Sequence, residues 1–507
     1  YDPENPAEQT VTGVLVPEDQ YGMEVAAGDI PTLKVSQREV QQELFVSPEG
    51  SDSNAGTIDS PFLTVARAQE EVRKYNQNMA GDILVYLREG TYEITEPMQF
   101  GVEDSGSNGY YVVYQNYQDE LPMISGGTVL DAKWEEDPER PGVYKTTLDR
   151  DSKLRSLYVN GEPAKITEYT VEGQGTVGTM TITGEESWAE TSGTAWTGIK
   201  FKKSDVAVYA NPEDVEITQS KVFNRNTVGI QNIYEDESGE YIIFEPQQPF
   251  GAIFSTMAWG CNLVGTGSIT IRNTLENLKN PGEFYFDRGE KTLYYYPPAG
   301  ADINDMEFVI PESEGFMRIN GESTSERVEN IEFSGIQFSY DHYSLEVIDD
   351  PENGLHAIGY GGVQSLGLYR KFADHGNWHH SWYNIVDTPY AAVDVQNARG
   401  IVFEGNRFKN ISSSCGVSYT NDVVDSTIQG NAFINVAGNA TNIGHPQHVF
   451  IGEDAKSDNQ RFPVGVEGVC KNDQVVYNLV RNVSSEFYQC DAIMAFFVEN
   501  CDFSHND

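Results

Sequence analysis

A pattern of about 25 residues recurs in the second half of the chain and restricts the folds open to it. The segments "NIEFSGIQF" (330–338), "GIVFEGNRF" (400–408) and "STIQGNAF" (426–433) each contain an apolar residue, a glycine two positions later and a phenylalanine three positions after the glycine. Very short strands between glycine corners at this period are typical of a parallel β-helix, in which each repeat forms one coil. Leucine-rich repeats have a similar period but a recurring leucine pattern, which is absent from this sequence. The repeat therefore predicts an all-β parallel solenoid.

An asparagine accompanies the repeat. Asn406 and Asn431 are 25 residues apart, and Asn506 lies a further 75 residues along, about three such periods. Identical side chains at one position of stacked coils meet each other, so we expect an internal asparagine ladder with a structural role. The sequence stops at "FSHND", inside a repeat, and we expect the C-terminal end of the solenoid to be incomplete.

The first half of the chain predicts a cap and an insertion. Thr64 is suited to an N-cap, and Val65, Ala68 and Val72 fall on one face of a helix. Such a helix can cover the open end of the solenoid, which otherwise exposes a sheet edge. The predicted parts are an extended N-terminal segment (1–42), the β-helix start with its capping helix (43–129), an inserted or packed β-rich subdomain (130–310) and the parallel β-helix core with the active site (311–507).

The chain is strongly acidic, with 33 lysines and arginines against 78 aspartates and glutamates and a net charge of −45. Such a surface repels phosphate backbones, so nucleic acid is not expected as a partner, whereas neutral glycans are compatible with it. No stretch of eighteen apolar residues occurs, and no membrane span is expected. The five cysteines are sparse and contain no CxxC pair, so neither a disulfide framework nor structural zinc is expected.

Residues 359–400 depart from the repeat length and concentrate aromatic and histidine side chains. Long excursions from a regular scaffold often carry binding sites, and Trp and Tyr rings are amphipathic enough to stack on sugars. We therefore expect an oligosaccharide site here; the alternative is a hydrophobic plug that holds the loop down. The candidate substrate-binding residues are Gln364, His379, His380, Trp382, Tyr383, Tyr390 and, in the next coil, Tyr419.

Two aspartates in "VDTPYAAVDV" (386–395) are the candidate catalytic pair. In a straight strand Asp387 and Asp394 would lie roughly 23 Å apart on opposite faces. Pro389 cannot occupy the middle of a ladder, so "DTPY" predicts a corner between two short strands, with "AAVDV" starting the second. A corner can bring the carboxyl groups to about 5 to 5.5 Å, the arrangement of retaining glycosidases. Like charges at that distance separate the two pKa values and so distinguish the acid from the nucleophile.

The remaining polar motifs are weaker. The histidine pair at 379–380 and "GHPQH" (444–448) lack the HExxH spacing of zinc proteases, and we expect these histidines to bind hydroxyl groups. "SPEGSDSNAG" (47–56) offers oxygen ligands suited to Ca²⁺ without matching an EF-hand, and a plain turn is favoured there. No cofactor is expected to be required for the chemistry. Competing carboxylates, most of them expected to be surface charge, are Asp422, Asp425, Glu453, Asp454, Glu467 and Asp491.

Three segments resemble known sequences. "FVSPEGSDSNAGTIDSPFLTVARAQ" (45–69) resembles the N-terminal signature of secreted right-handed parallel β-helix proteins that act on polysaccharides. "LRSLYVNGEPAK" (154–165) and "NPGEFYFDRGEKTLYYYP" (280–297) resemble segments of glycoside hydrolases in that group, including family 141. The resemblance covers most of residues 43–507. It implies a right-handed parallel β-helix in a secreted or cell-surface bacterial protein.

The aspartate pair resembles the catalytic pair of glycoside hydrolase family 136, lacto-N-biosidases of gut bacteria whose two catalytic aspartates lie seven residues apart. That resemblance implies Asp387 as the acid/base and Asp394 as the nucleophile. It also implies release of lacto-N-biose (Gal-β1,3-GlcNAc), with retention, from the non-reducing end of human-milk-type oligosaccharides. Structural Ca²⁺ and, in some members, a dedicated folding chaperone are further implied.

Three other functions stay open. A closer relation to family 141 implies α-L-fucosidase or xylanase activity on plant polysaccharide, with catalytic residues elsewhere, even beyond Asp507. A polysaccharide lyase needs a basic residue and cations for its uronate, and residues 359–400 contain only Arg370, Lys371 and Arg399 as firm positive charge. A non-catalytic glycan-binding β-helix, such as an adhesin, would bind glycans without turnover.

Overall fold

The computed structural model describes residues 38–221, 224–257, 260–350, 355–363, 367–372, 386–388, 390–444, 467–487 and 490–507. The first strands are β1 (Val40–Val46), β2 (Asp82–Leu87), β3 (Thr91–Glu93), β4 (Met98–Phe100), β5 (Val112–Asn116), β6 (Met123–Ser125) and β7 (Gly127–Val129). They are followed by β8 (Glu135–Glu136), β9 (Tyr144–Thr147), β10 (Tyr158–Val159), β11 (Glu162–Pro163), β12 (Lys165–Ile166), β13 (Glu168–Val177), β14 (Met180–Ile182), β15 (Gly193–Ala195), β16 (Gly198–Lys202), β17 (Glu216–Ser220), β18 (Asn224–Glu235), β19 (Tyr241–Pro246), β20 (Thr266–Arg272), β21 (Glu283–Asp287) and β22 (Thr292–Tyr295).

The strands of the second half are β23 (Phe308–Pro311), β24 (Met317–Asn320), β25 (Val328–Ser334), β26 (Gln337–Ser339), β27 (Glu346–Asp350), β28 (Leu355–Val363), β29 (Gly367–Tyr369), β30 (Val386–Asp387), β31 (Ala391–Glu404), β32 (Arg407–Ile411), β33 (Cys415–Val424), β34 (Thr427–Gln429), β35 (Ala432–Val436), β36 (Asn439–Gly444), β37 (Gln474–Val476), β38 (Leu479–Arg481), β39 (Ile493–Phe496) and β40 (Asp502–Ser504). The helices are α1 (Val65–Val72) and α2 (Phe250–Ser255), with short 3₁₀ turns at Asn76–Asn78, Val102–Asp104, Pro212–Asp214, Leu275–Asn277 and Ile303–Asp305.

Parallel pairing organises the N-terminal part and the second half of the chain. One parallel sheet runs β1-β2-β5-β25-β31-β33-β36-β39, with β4-β24 and β34-β37-β40 branching from β31, and a second runs β3-β6-β26-β32-β35-β38. In the later coils, paired residues are one repeat apart: Asp394 lies opposite Ser418 and Arg407 opposite Ala432. The prediction of a mostly β protein with parallel sheets is confirmed.

The apolar residues of the repeat fill the interior between these sheets. Phe333 stacks on Phe403 with ring centroids 5.3 Å apart, and Phe408 stacks on Phe338 at 5.0 Å and on Phe433 at 4.9 Å. All five rings are buried. Large buried aromatic rings dominate core energetics. The rings form two stacks, so each repeat makes the same ring contact with the next repeat.

In each repeat, one residue with a left-handed backbone conformation lies at the corner between two short strands. Gly335, Gly405 and Gly430 have φ angles of +66°, +64° and +63°, which are costly for residues with a Cβ atom. In the last two coils the equivalent positions are Tyr477 and His505, both at +58°, and their rings stack 4.8 Å apart. The apolar-x-Gly-x-x-Phe pattern therefore lapses after residue 433, although the coils continue.

The predicted asparagine ladder is confirmed and contains Asn406, Asn431, Asn478 and Asn506. The Asn406 side-chain amide and main-chain N–H both donate to Oδ1 of Asn431, at 3.1 and 2.9 Å. The same pair of bonds links Asn431 to Asn478 and Asn478 to Asn506, at 3.0 to 3.1 Å. The prediction of three periods between Asn431 and Asn506 is wrong. The described ladder has two steps there, of 47 residues from Asn431 to Asn478 and of 28 residues from Asn478 to Asn506.

The predicted helix near the N-terminus is α1, and Thr64 is its N-cap, accepting a hydrogen bond from the Arg67 N–H at 3.1 Å. Val65, Ala68 and Val72 are buried in the same core cluster as Leu44 of β1. Since β1 is the outermost strand of the first parallel sheet, the helix packs at that end of the sheet. Both features agree with the predicted cap.

Mostly antiparallel sheets form the middle of the chain, with β12 and β21 as a parallel pair. A four-stranded sheet runs β11-β10-β23-β7, a five-stranded sheet runs β12-β21-β22-β9-β8, and a ten-stranded sheet runs β17-β20-β13-β16-β19-β18-β28-β29-β30, with β27 beside β28. These sheets have core clusters separate from that of the parallel sheets. The ten-stranded sheet takes strands from both sides of residue 310, since β27 to β30 follow it in the chain. The predicted domain boundaries stay predictions.

The asparagine ladder gives a stability prediction. We expect Asn431→Ala to lower the free energy of unfolding by about 2 to 3 kcal/mol, because it leaves buried main-chain and side-chain groups of its neighbours without partners. Asn421→Ala is the matched control: its amide donates one partly buried bond to Asn397 at 3.3 Å, and we expect a loss under about 1 kcal/mol. Denaturant unfolding measures both, and equal losses would contradict a special role for the ladder.

A buried acid predicts how stability depends on pH. Asp473 is 1% exposed, accepts the Ser426 N–H at 3.0 Å, and its pKa is raised by burial to about 8. Because the folded-state pKa of Asp473 is raised, its protonated carboxyl group stabilises the fold fully below pH 4. This stabilisation is lost as the pH rises through 8. Relative to wild type, we expect Asp473→Asn to gain on the order of 2 °C in melting temperature between pH 5 and pH 9. The same scan of Asp119→Asn, at an exposed turn, should show no such gain, and a wild-type-like pH profile of Asp473→Asn would refute the assignment.

Candidate active site

The chain passes from the antiparallel to the parallel sheet between Asp387 and Ala391. Asp387 ends β30, which pairs antiparallel with β29 through Leu368. Ala391 begins β31, which pairs parallel with β24 and β33. The two predicted strands are therefore present and belong to different sheets, while the corner predicted at Pro389 stays a prediction. Pro389 and the Asp387 side chain lie outside the described part of the structure, so the predicted carboxyl–carboxyl separation of about 5 to 5.5 Å stays a prediction.

Asp394 lies on the outer face of the parallel sheet. Its neighbours in β31, Val393 and Val395, belong to the buried core, and alternation along a strand turns Asp394 the other way. The Asp394 carboxylate is partly exposed. Gln396 Nε2 donates to its Oδ2 at 3.4 Å, and the Thr420 hydroxyl donates to its Oδ1 at 3.5 Å. Asp394 therefore lies on the outer face of the sheet and is partly open to solvent.

Polar residues flank Asp394 along the direction perpendicular to the strands. Arg318 of β24 is its register partner on one side and Ser418 of β33 on the other, with Asn442 of β36 one strand further. Asn442 Nδ2 donates to the Ser418 hydroxyl at 3.0 Å. Ser418 and Asn442 have no exposed surface, so in this row only Arg318 and Asp394 reach the outside of the sheet.

Tyr390, predicted to bind substrate, is held on several sides. Its ring stacks on Tyr343 with centroids 5.4 Å apart and planes 6° apart, and the Arg318 guanidinium lies 4.8 Å from the ring centroid. Its hydroxyl donates to the Glu314 carbonyl at 2.5 Å and accepts a bond from Arg318. Burial raises the pKa of the hydroxyl to about 12. These contacts give Tyr390 a structural role beside Asp394, and substrate stacking on its ring stays a prediction.

Tyr419, also predicted to bind substrate, is in the core. It has no exposed surface, and its hydroxyl is 3.4 and 3.5 Å from the carbonyl oxygens of Ile401 and Thr427. The prediction of substrate contact is wrong, because Tyr419 continues the inward set of β33 that begins with Val417. That alternation is visible in the sequence "VSY" and could have placed Tyr419 inside. Gln364, His379, His380, Trp382 and Tyr383 lie outside the described residues.

Several residues that support the site carry no sequence motif. Glu486 accepts hydrogen bonds from Arg155 at 2.6 Å and Arg272 at 2.7 Å. Burial alone would raise the pKa of Glu486, but the two guanidinium groups outweigh it and hold the pKa well below its usual value. The next residue, Phe487, packs edge-on against Tyr343, the stacking partner of Tyr390, at 5.8 Å. The antiparallel sheet and the last described coils thus meet directly behind Tyr390.

Asp341 anchors the turn that precedes β33. Its fully buried carboxylate accepts the Ser412 N–H at 2.6 Å and the Ser413 N–H at 3.2 Å, and burial raises its pKa to about 7. Ser414 of the same turn donates its hydroxyl to the Tyr390 carbonyl at 2.9 Å. Asp341 therefore supports the junction from behind the sheet and is closed to a substrate.

The competing carboxylates have other partners. Asp422 is 3% exposed and forms a bidentate pair with Arg327 at 2.6 and 2.9 Å. Asp425 accepts a bond from Asn472 at 2.8 Å at an exposed turn. The remaining candidates are Glu467, which is exposed and bound by Thr324, Asp491, which is partly exposed, and Glu453 and Asp454, which lie outside the described residues.

The loop considered for Ca²⁺ is a turn that leads into α1. Asp52 accepts the N–H groups of Leu63 at 3.0 Å and Thr64 at 2.9 Å through one oxygen, and the Thr64 hydroxyl at 3.0 Å through the other. Both of its oxygens are therefore used by donors, and this donor set does not fit a Ca²⁺ site. Across the described residues, no three His, Cys, Asp or Glu side chains are grouped to hold a metal. None of the described helices is long and apolar enough to cross a membrane.

Comparison with known sequences finds short matches. No protein-family model matches the chain. A stretch of 92 residues, 18% of the chain, is 40% identical to 17% of the uncharacterized protein YwoF of Bacillus subtilis. A stretch of 107 residues, 21% of the chain, is 35% identical to 22% of pectate lyase PEL9 of Emericella nidulans. The chain thus matches about a fifth of the length of either curated relative.

Comparison with solved structures gives a match over nearly the whole chain. A glycoside hydrolase superposes with a TM-score of 0.68 and 21% identity over 91% of this chain and 77% of its own. A family 136 lacto-N-biosidase from Eubacterium ramulus gives a TM-score of 0.16 and 8% identity over 91% of this chain and 68% of its own, which supports no argument about that family. This chain shares its overall fold with a solved glycoside hydrolase.

Proposed function

We propose that this chain is a carbohydrate-active enzyme, a retaining glycoside hydrolase whose parallel strands wind as a right-handed β-helix. The observation that carries the proposal is the position of Asp394, a partly exposed carboxylate on the outer face of the parallel sheet. It follows by seven residues a second aspartate, Asp387, at the end of the strand that enters the junction. The fold shared with a solved glycoside hydrolase supports this assignment.

In the proposed mechanism Asp394 is the nucleophile and Asp387 the acid/base. The Asp394 carboxylate attacks the anomeric carbon and forms a glycosyl ester, while Asp387 protonates the departing glycosidic oxygen. Asp387 then removes a proton from water, which attacks the same carbon, releases Asp394 and restores the original anomeric configuration.

The finer proposal is that the enzyme releases lacto-N-biose from the non-reducing end of milk-type or host glycans. It rests on the seven-residue spacing of the aspartate pair. Secretion or cell-surface display by a bacterium, structural Ca²⁺ outside the loop at 47–56, and a dedicated folding chaperone belong to the same proposal. Conversion of lacto-N-tetraose to lacto-N-biose and lactose is the direct test, and hydrolysis of fucosides or xylans without that reaction would favour the family 141 alternative.

A second candidate is a polysaccharide lyase. The match to pectate lyase PEL9 and the guanidinium of Arg318 beside Asp394 favour it, since a lyase needs a cationic group near its uronate. The two reactions differ in products: a lyase forms an unsaturated uronate that absorbs in the ultraviolet, and a hydrolase does not. Polygalacturonate and neutral oligosaccharides should therefore be assayed side by side.

We expect Asp394→Asn to lower kcat/KM on the hydrolysed glycan by at least about 10³-fold while the melting temperature stays within a few degrees of wild type, because the nucleophile is lost and the side-chain shape is kept. Asp425→Asn is the matched control, since this exposed aspartate aligns with Asn472 of the next coil and should keep full activity. Initial-product NMR should show the retained anomer. Activity of Asp394→Asn within tenfold of wild type would remove Asp394 from the mechanism, and glycan binding without turnover by wild type would favour a binding module.

A further inference from the structure

Arg318 fixes the segment that carries Asp394. Its Nη1 donates to the carbonyl of Met317 at 2.9 Å and to those of Ala391 and Ala392 at 3.3 and 3.4 Å. Its Nη2 donates to the Glu314 carbonyl at 2.7 Å and to the Tyr390 hydroxyl. One guanidinium therefore joins the turn before β24, its own strand and the first residues of β31. Acceptors spread over both Nη atoms suit the rigid fork of arginine and not the point charge of lysine.

The packing around Arg318 leaves little freedom. Gly315 has φ +90°, and a Cβ atom there would lie 2.7 Å from the Ala392 carbonyl oxygen and 3.0 Å from Nη1 of Arg318. The Phe316 N–H donates to the same carbonyl at 2.7 Å. The Ala392 carbonyl, two residues before Asp394, is thus held by hydrogen bonds from both the turn and the Arg318 guanidinium.

The charge of Arg318 is not neutralised by a carboxylate. All five bond partners of its guanidinium are carbonyl or hydroxyl oxygens, and within the described residues no Asp or Glu oxygen lies within 4 Å of it. This is notable in a chain of net charge −45, where acids outnumber bases by more than two to one. Arg318 and Asp394 are register partners on neighbouring strands about 5 Å apart, so a positive charge is carried by the strand next to Asp394.

We propose that Arg318 is a positioning residue of the active site, which holds the start of β31 in place and keeps the Asp394 carboxylate negatively charged. This inference rests on the proposed function for its catalytic meaning, while its electrostatic part stands on the geometry alone. An ionised Asp394 is what the attack on the anomeric carbon requires, and a cation at this distance favours the charged form of a carboxyl group. Arg318 itself does not contact the reacting atoms.

Other groups around Asp394 act differently. Burial raises the pKa of the Cys415 thiol well above its ordinary value, so Cys415 is neutral beside Asp394. The strands that pair with β31 beside Asp394 carry Arg318 on β24 and Cys415, Tyr419 and Asp422 on β33, and β31 itself carries Arg399 and Glu404 further along. Glu314, Asp387 and Tyr390 belong to the turn and the junction next to them. Arg318 is the cation at the register position of Asp394, and its removal should therefore move the ionisation of Asp394 in one direction.

The experiment compares Arg318→Gln, Arg318→Lys and wild type, with Arg399→Gln as the matched control on the exposed part of β31, where Arg399 has only ion pairs of 3.6 and 3.7 Å. Carbodiimide coupling to an amine labels protonated carboxyl groups, and peptide mass spectrometry reads the labelling of Asp394 against pH in the folded protein. We expect the midpoint to rise by about one pH unit in Arg318→Gln and to stay near the wild-type value in Arg318→Lys and Arg399→Gln. An unchanged midpoint in Arg318→Gln would overturn the proposal.

Kinetics on the hydrolysed glycan supply the second readout. We expect kcat to fall on the order of 10²-fold in Arg318→Gln with KM changed less than threefold, and on the order of tenfold in Arg318→Lys, which keeps the charge but not the fork. Equal kcat values for Arg318→Gln and Arg399→Gln would refute the positioning role. If wild type hydrolyses no glycan, the proposed function fails, and the labelling midpoint still decides whether Arg318 keeps Asp394 charged.

Discussion

The structure depends on hydrogen bonds that each coil makes to the next. Parallel pairing satisfies the backbone groups of one coil only when another coil lies in register beside it, so no coil is stable alone. The asparagine ladder strengthens this dependence at the inward turns. Asn431 receives bonds from the side chain and the backbone of Asn406 and gives the same pair to Asn478. A buried amide is tolerated there because its polar atoms find partners in the coil above or below.

The regular coils also provide a rigid base for an irregular site. After β26 the chain leaves the parallel sheets for the ten-stranded antiparallel sheet, and after β30 it returns to them. Asp387 and Asp394 lie on either side of this change of sheet. Arg318 and Tyr343 contact the returning chain at Ala391 and Tyr390. Phe487, almost a hundred residues later, packs on Tyr343, and Glu486 beside it binds Arg155. Buried ion pairs are costly to desolvate, so the Glu486 cluster fixes a unique docking geometry more than it adds stability.

Local patterns predicted much of this arrangement. The glycines and phenylalanines of the repeat predicted short strands in parallel sheets, and Thr64 predicted the start of α1. The prediction for Tyr419 failed because the aromatic context outweighed the strand alternation with Val417. The glycine pattern also failed to predict the last repeats, where Tyr477 and His505 replace glycine at left-handed positions. Their conformational strain of about 1 kcal/mol can be offset by the stacking of the two rings.

By itself the sequence determined the short strands of the repeat and the inward position of Asn406 and Asn431, since both follow from residues within one repeat of each other. The tertiary structure decided which side chains meet across neighbouring strands. Arg318 lies beside Asp394, and Glu486 beside Arg155, only because the pairing of the parallel strands and the packing of the antiparallel sheet set their register. Such contacts join segments separated by tens to hundreds of residues, and no local propensity or spacing encodes the register that brings them together.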